Sequence, residues 1–162
     1  MTTVEYRSRF NVSAAALFGF HERTDALEIL MPPWEQARVV SREGGIAAGA
    51  RVVIETKVGP LWLPWVAVHE RYVPGVEFVD RAERGPFRAW RHTHRVTPAG
   101  DMSAWLSDDI EYELPLGAAG ALVAGGYVRR RLDLMFAHRH AATARALGAV
   151  ITEGYGIVSD RG

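Results

Sequence analysis

The chain has 162 residues, with 19 basic and 19 acidic side chains and a formal net charge of zero, so nothing in its balance favours nucleic acid or an anionic membrane as a partner. It has no cysteine, which excludes disulfides and thiolate chemistry and fits a reducing, cytoplasmic setting. The length suits one domain, 1–162, with a core of its own, and the opening Met-Thr-Thr-Val-Glu-Tyr-Arg carries no apolar run of the signal-peptide kind.

Residues 3–12 alternate, with Val4, Tyr6, Ser8, Phe10 and Val12 on one side and Glu5, Arg7, Arg9 and Asn11 on the other, which predicts a strand. Ser13 is placed to N-cap a helix over 14–20. A second short helix is expected from Thr24, with Asp25 and Glu28 near its positive end, Leu27, Leu30 and Met31 as its apolar side, and Pro32-Pro33 as its stop. Four strands follow over 37–42, 51–58, 65–72 and 76–84, separated by glycine and proline clusters. Residues 87–96 and 105–114 then form a hairpin across Thr97-Pro98-Ala99-Gly100-Asp101. After Pro115 the pattern becomes helical, from Gly117 to about Leu147, with Val128, Leu132, Met135, Phe136, Arg139, Thr143 and Leu147 at three- and four-residue spacing. Gly120, Gly125 and Gly126 weaken its first turns by about 1 kcal/mol each relative to alanine, so that end is expected to be mobile. The segment 114–128 is too short to span a bilayer, and Arg129-Arg130-Arg131 reads as a solvated helix face. Residues 152–162 are expected to be a frayed tail.

The hairpin concentrates the chemistry. Alternation puts Trp90, His92, His94 and Val96 on the inward face of one strand, and Leu106, Asp108, Ile110, Tyr112 and Leu114 on that of the other. Imidazoles titrate near neutral pH, so His92 and His94 are candidates for acid–base work; they are equally readable as structural histidines bonded to Asp108, Tyr112 or a backbone carbonyl. Asp108 can orient an imidazole and fix its tautomer, or serve as a buried ion-pair partner. His69 points inward with Trp65 and Ala67, which makes a site of three histidines and one carboxylate imaginable for a metal. No Gly-x-Ser-x-Gly nucleophile pattern and no phosphate-binding glycine loop is present. Trp65, Trp90 and Met135 are candidates to line a ligand site, and Trp34 and Trp62, read as lying in proline-flanked loops, to rim its mouth near Gly125-Gly126. Arg139 is placed either to bind a ligand carboxylate or to pair with an acid such as Asp108.

One strand, two short helices, six strands and a long helix give an α+β chain. A six-strand antiparallel run must curl to bury one face, and the helix can fill the groove, leaving a cavity between them. Phe20-His21, Leu30-Met31-Pro32-Pro33-Trp34, Phe78-Val79-Asp80, Gly85-Pro86-Phe87, Trp90 with His92 and His94, and Asp108 with Tyr112 and Pro115 resemble the helix-grip SRPBCC superfamily (START and Bet v 1-like), which includes polyketide cyclases and aromatases. More closely, they resemble a bacterial group of stand-alone ligand-binding proteins related to a domain fused to epimerase-like "cell-division inhibitor" proteins. The resemblance implies a curved sheet of about seven strands around the long helix, an internal cavity and an apolar, aromatic or polyketide-like ligand. It implies no cofactor and no metal. The expected chemistry is a cyclisation or dehydration, with His92 as acid or base, Asp108 orienting it, and Tyr112 or His94 donating to a developing enolate. A carrier or sensor, and a protein-interaction module, are the alternatives; the expected partners are a small molecule and, as an assembly kept open, a second copy in a homodimer.

Overall fold

The computed structural model describes residues 1–58 and 60–161. Strand β1 (Thr2–Phe10) leads into helices α1 (Ala14–His21) and α2 (Ala26–Leu30). Strands β2 (Ala37–Glu43), β3 (Arg51–Val58), β4 (Leu61–Val73), β5 (Glu77–Arg84), β6 (Ala89–Pro98) and β7 (Ala104–Glu113) follow, then helix α3 (Gly117–Leu147) and strand β8 (Ile151–Arg161). The eight strands form one antiparallel sheet in the order β2-β3-β4-β5-β6-β7-β1-β8. Consecutive strands from β2 to β7 are neighbours, and β1 joins beyond β7. This is the expected helix-grip arrangement: α3, 31 residues and about 46 Å long, packs on the face the sheet turns inward.

The inward row of β1 is Val4, Tyr6, Ser8 and Phe10, all buried, while Glu5, Arg7 and Arg9 alternate outward. Val4, Tyr6, Trp90, Ile110, Tyr112, Leu132 and Phe136 pack as one cluster under the first half of α3. Phe10, Leu17, Phe18, Phe78, Val96, Leu106 and Ala144 pack as a second under α1 and the end of α3. The polar groups described below lie between the two. Ser13 caps α1 as the sequence indicates, its Oγ accepting from the Ala16 N–H at 3.2 Å. Ser13→Ala is expected to lower unfolding free energy by about 1 kcal/mol in a urea titration.

Three local expectations are corrected. The frayed tail is instead β8, which pairs antiparallel with β1 from Phe10↔Ile151 to Thr3↔Arg161. Gly154 and Gly156 disguise it, because they break the alternation; Gly154 has φ +77°, and a Cβ there would meet the Arg7 carbonyl oxygen at 2.4 Å. The register of the pair shifts around these positions, as bulges do. The sheet therefore has eight strands rather than about seven. Thirdly, Trp62 lies in β4 rather than in a loop. Residues 61–65 pair only with β3, because β5 begins to pair at Val66, so Pro64 sits where its missing N–H removes no bond from a second neighbour.

Helix α3 begins without a side-chain cap, from Leu116 at φ +65°. A Cβ on Gly120 would sit 1.9 Å from the Pro115 carbonyl oxygen, so this glycine is required by the close approach of the backbone.

Candidate functional site

The site is set by register. In β5 and β6, Asp80 stands opposite His92, and Phe78 opposite His94. In β6 and β7, His94 stands opposite Asp108. On the far side of β5, His69 of β4 stands opposite Asp80. Alternation keeps all of these on the inward face, and α3 supplies His140 from above.

Asp108 is the hub. Its Oδ1 accepts from His92 Nε2 at 2.8 Å and lies 2.9 Å from His94 Nδ1. Its Oδ2 accepts from His140 Nε2 at 2.7 Å, and His140 Nδ1 is 2.7 Å from Ser8 Oγ. With Nε2–H of His140 on the carboxylate, its Nδ1 is the acceptor for the Ser8 hydroxyl. His94 reaches further, with Nε2 at 3.3 Å from Asp80 Oδ1, and His92 Nδ1 stands 3.7 Å from the same oxygen. The His92 and His94 rings lie 3.6 Å apart between centroids, and His94 stacks on Phe78 at 4.1 Å.

Burial and pairing set the charges. Burial alone would raise Asp108, but bonds from His140, His92 and His94 outweigh it and hold the carboxyl well below the usual carboxylate range. Asp80 is likewise lowered, the His94 bond and the charges of its histidine neighbours overcoming burial. His94, bridging two carboxylates, is raised despite burial. His92 is pushed down to about 4 by burial and by the charge of His94, against the pull of Asp108. The two carboxylates thus favour the protonated form of His94 and burial the neutral form of His92, whose Nε2 faces Asp108 and whose Nδ1 faces Asp80. Burial also pulls Arg139 below its usual value, while Asp108, Asp80 and Glu35 favour its charge; its Nε is buried with no hydrogen-bond partner among the described residues.

Of the residues singled out in the sequence, His92, His94 and Asp108 come together. Trp65, Trp90 and Met135 also come together, in an aromatic cluster with Phe87 and Tyr112. Trp90 joins the two groups, its ring 6.3 Å from that of His92. Tyr112 belongs to the aromatic cluster: it lies four residues along β7 from Asp108, about 13 Å at strand rise. His69 borders Asp80 in register, with its ring lowered by burial and Nδ1 buried without a hydrogen-bond partner among the described residues, although the Gly45 backbone lies close enough to favour its charge. Trp34 and Trp62 stand outside: Trp34 packs edge-on against His138 at 5.2 Å, and Arg38 lies over Trp62 at 4.6 Å. Two hollows open on the flanks of α3, one of about 390 Å³ beside Ile29 and Arg145 and one of about 230 Å³ lined by Trp34, Tyr127, Arg130, Arg131 and Leu134. The space above His92 is occupied by Phe136, 5.2 Å away edge-to-face.

Sequence reasoning missed Asp80, His140, Ser8 and His21 as parts of the site. His140 lies four residues beyond Phe136, beside the stripe from which Met135 and Arg139 were chosen, and Asp80 is two beyond Phe78; both periods were available. His21 is buried, with Nδ1 3.0 Å from the Leu17 carbonyl and its ring 6.1 Å from His94. Burial pushes it down to about 4. The unfolded chain binds that proton near pH 6.5 and the folded chain only near pH 4, so this group's contribution to stability falls as pH drops through that window, by up to about 3 kcal/mol. Urea titrations at pH 7 and pH 4.5 are expected to show the loss, and His21→Phe to reduce it; an undiminished loss would assign it to other groups.

No protein-family model matches the chain, and no curated protein does. Solved structures do. A norcoclaurine synthase from Thalictrum flavum superposes with a TM-score of 0.72 at 12% identity, covering 91% of this chain and 94% of that one. A START superfamily protein from Mycobacterium smegmatis gives 0.65 at 12%, covering 91% and 98%. An aromatase/cyclase from a Streptomyces species gives 0.61 at 15%, covering 90% of each. With the long helix held against a curved antiparallel sheet, the chain shares the helix-grip fold of these structures.

Proposed function

We propose that the chain binds an apolar, aromatic or polyketide-like small molecule between the sheet and α3 and performs a cofactor-free proton transfer on it, of the cyclisation or dehydration type. The observation that carries this reading is the junction at Trp90 between an aromatic cluster and a buried histidine–carboxylate cluster whose His92 holds a neutral, carboxylate-oriented ring. In a cyclisation, His92 Nδ1 takes a proton from an activated carbon. The resulting enolate attacks a carbonyl carbon of the same molecule, and the imidazolium returns the proton to the new alkoxide. Cationic His94 stabilises the enolate; Tyr112, too far along the strand, serves the aromatic wall. Helix-grip neighbours lend support: one norcoclaurine synthase structure holds dopamine and hydroxybenzaldehyde, and another neighbour is an aromatase/cyclase. Phe136 and the first half of α3 must yield to admit a ligand.

Mass spectrometry of small molecules that co-purify with the protein supplies the candidate substrate. With it, His92→Ala and Asp108→Asn are each expected to reduce turnover by roughly 10²–10⁴, with a smaller effect on ligand affinity and with non-additive losses in the double variant. A bound molecule that the wild type leaves unchanged would favour the carrier or sensor; turnover surviving both substitutions would remove the pair from the chemistry.

A further inference from the structure

We infer that Asp80, His92 and His94 form a binding site for one divalent cation of the zinc type, with Asp108 as the group that orients both imidazoles. Asp80 Oδ1, a nitrogen of His92 and a nitrogen of His94 all lie within 4.8 Å of one another. His94 Nε2 is 3.3 Å and His92 Nδ1 3.7 Å from Asp80 Oδ1. Ligands held at zinc-like distances in a tetrahedron stand about 3.3–3.4 Å apart, so both imidazole nitrogens already stand from Asp80 Oδ1 at nearly the spacing that a cation would impose.

The opposite nitrogens are committed elsewhere. His92 Nε2 donates to Asp108 Oδ1 at 2.8 Å, and His94 Nδ1 stands 2.9 Å from that oxygen. Asp108 is itself held by His140 at 2.7 Å, which leans on Ser8 at 2.7 Å. Metal-binding histidines characteristically donate their second N–H to a carboxylate, which fixes the tautomer and raises the basicity of the metal-facing nitrogen. One carboxylate here does this for two rings. The ligands also sit on adjacent rigid strands, in direct register, rather than on loops.

With the Nε2–H of His92 given to Asp108, its Nδ1 faces Asp80 Oδ1 at 3.7 Å, beyond hydrogen-bond distance. A cation between them would take both as ligands, together with Nε2 of His94. Two imidazoles and one carboxylate suit a borderline ion rather than magnesium or calcium, which prefer oxygen shells. Three protein ligands leave a fourth position open, as in catalytic rather than structural sites; His69, with its unpartnered Nδ1, is the next residue of the row.

The inference departs from the metal-free chemistry expected from the sequence, and it does not rest on the small-molecule reading. It does share an atom with it, since a cation on His92 Nδ1 takes the lone pair assigned above to the base. Protein stripped with chelator and titrated calorimetrically with Zn²⁺ is expected to bind one ion per chain, with no response to Mg²⁺. Asp80→Ala and His94→Ala should abolish that binding, and Asp108→Asn weaken it by about 10–100-fold. His138→Gln, on the outer flank of α3, should leave it unchanged. Because buried variants can fail to fold, the wild type is also loaded with Co²⁺, which is expected to show the intense visible bands of a tetrahedral site. Weak, multi-site Zn²⁺ binding that survives Asp80→Ala in folded protein, or Co²⁺ without tetrahedral bands, would overturn the inference. Neither result touches ligand co-purification or turnover in chelator, so the two readings fail separately.

Discussion

Asp108→Ala in chelator-treated protein is expected to lower unfolding free energy by roughly 3–5 kcal/mol, the range for removing one partner from a buried charged network. Asp108 is only 3% exposed, and its two oxygens answer the ring nitrogens of His92, His94 and His140. Without it those nitrogens face each other in an apolar interior, His94 loses one of the two carboxylates that keep it charged, and the bond tying α3 to β7 disappears. Asp108→Asn keeps the shape and one acceptor but presents an NH₂ group where a donor already stands, so an intermediate loss is expected. Urea titration with both variants is the measurement. A loss under about 1 kcal/mol for the alanine variant would mean that water or a rearranged Asp80 satisfies the imidazoles.

Phe136→Ala is expected to cost about 3–5 kcal/mol, as for other buried aromatic truncations. The ring is 1% exposed, stacks on Tyr6 at 4.6 Å, and meets His92 edge-on at 5.2 Å. The truncation should also open an apolar void beside His92, and such voids take up small apolar molecules. Thermal melts with and without benzene are therefore expected to show a shift for the variant and none for the wild type. A variant that melts like the wild type would place the packing of α3 elsewhere.

Much of the sheet was legible because half-buried antiparallel strands write a period of two: Val4 to Phe10, and Trp90 to Val96, are each solved by alternation alone. The hairpin chemistry followed from the same period, since His92, His94 and Asp108 had to share a face. What the period does not give is position along the strand. Tyr112 shares the face of Asp108 but lies in the aromatic cluster, because same-face residues are spread over the length of the sheet. Pairing between distant segments was illegible for the same reason. Asp80 enters the site through its register with His92, and His140 through the crossing of α3 over β7, neither of which any local pattern encodes. Strand β8 escaped because Gly154 serves the close approach to β1 rather than the alternation.

The hydroxyl of Tyr6 donates to Asp133 at 2.8 Å, and Asp108 accepts from His140 at 2.7 Å. Asp133 and His140 are seven residues apart, which is two turns and about 10 Å along the same side of α3. Two latches on one side of a rod fix its rotation: α3 cannot roll without breaking both. Upstream of Asp133, the contacts with the sheet described above are apolar, from Ala124, Val128 and Leu132, and Leu122, Val123 and Tyr127 face outward. Apolar contacts can slide without leaving a donor stranded, so a shift of that part of α3 against the sheet costs less than one of the latched part, and the two latches set which face of the helix the buried cluster meets.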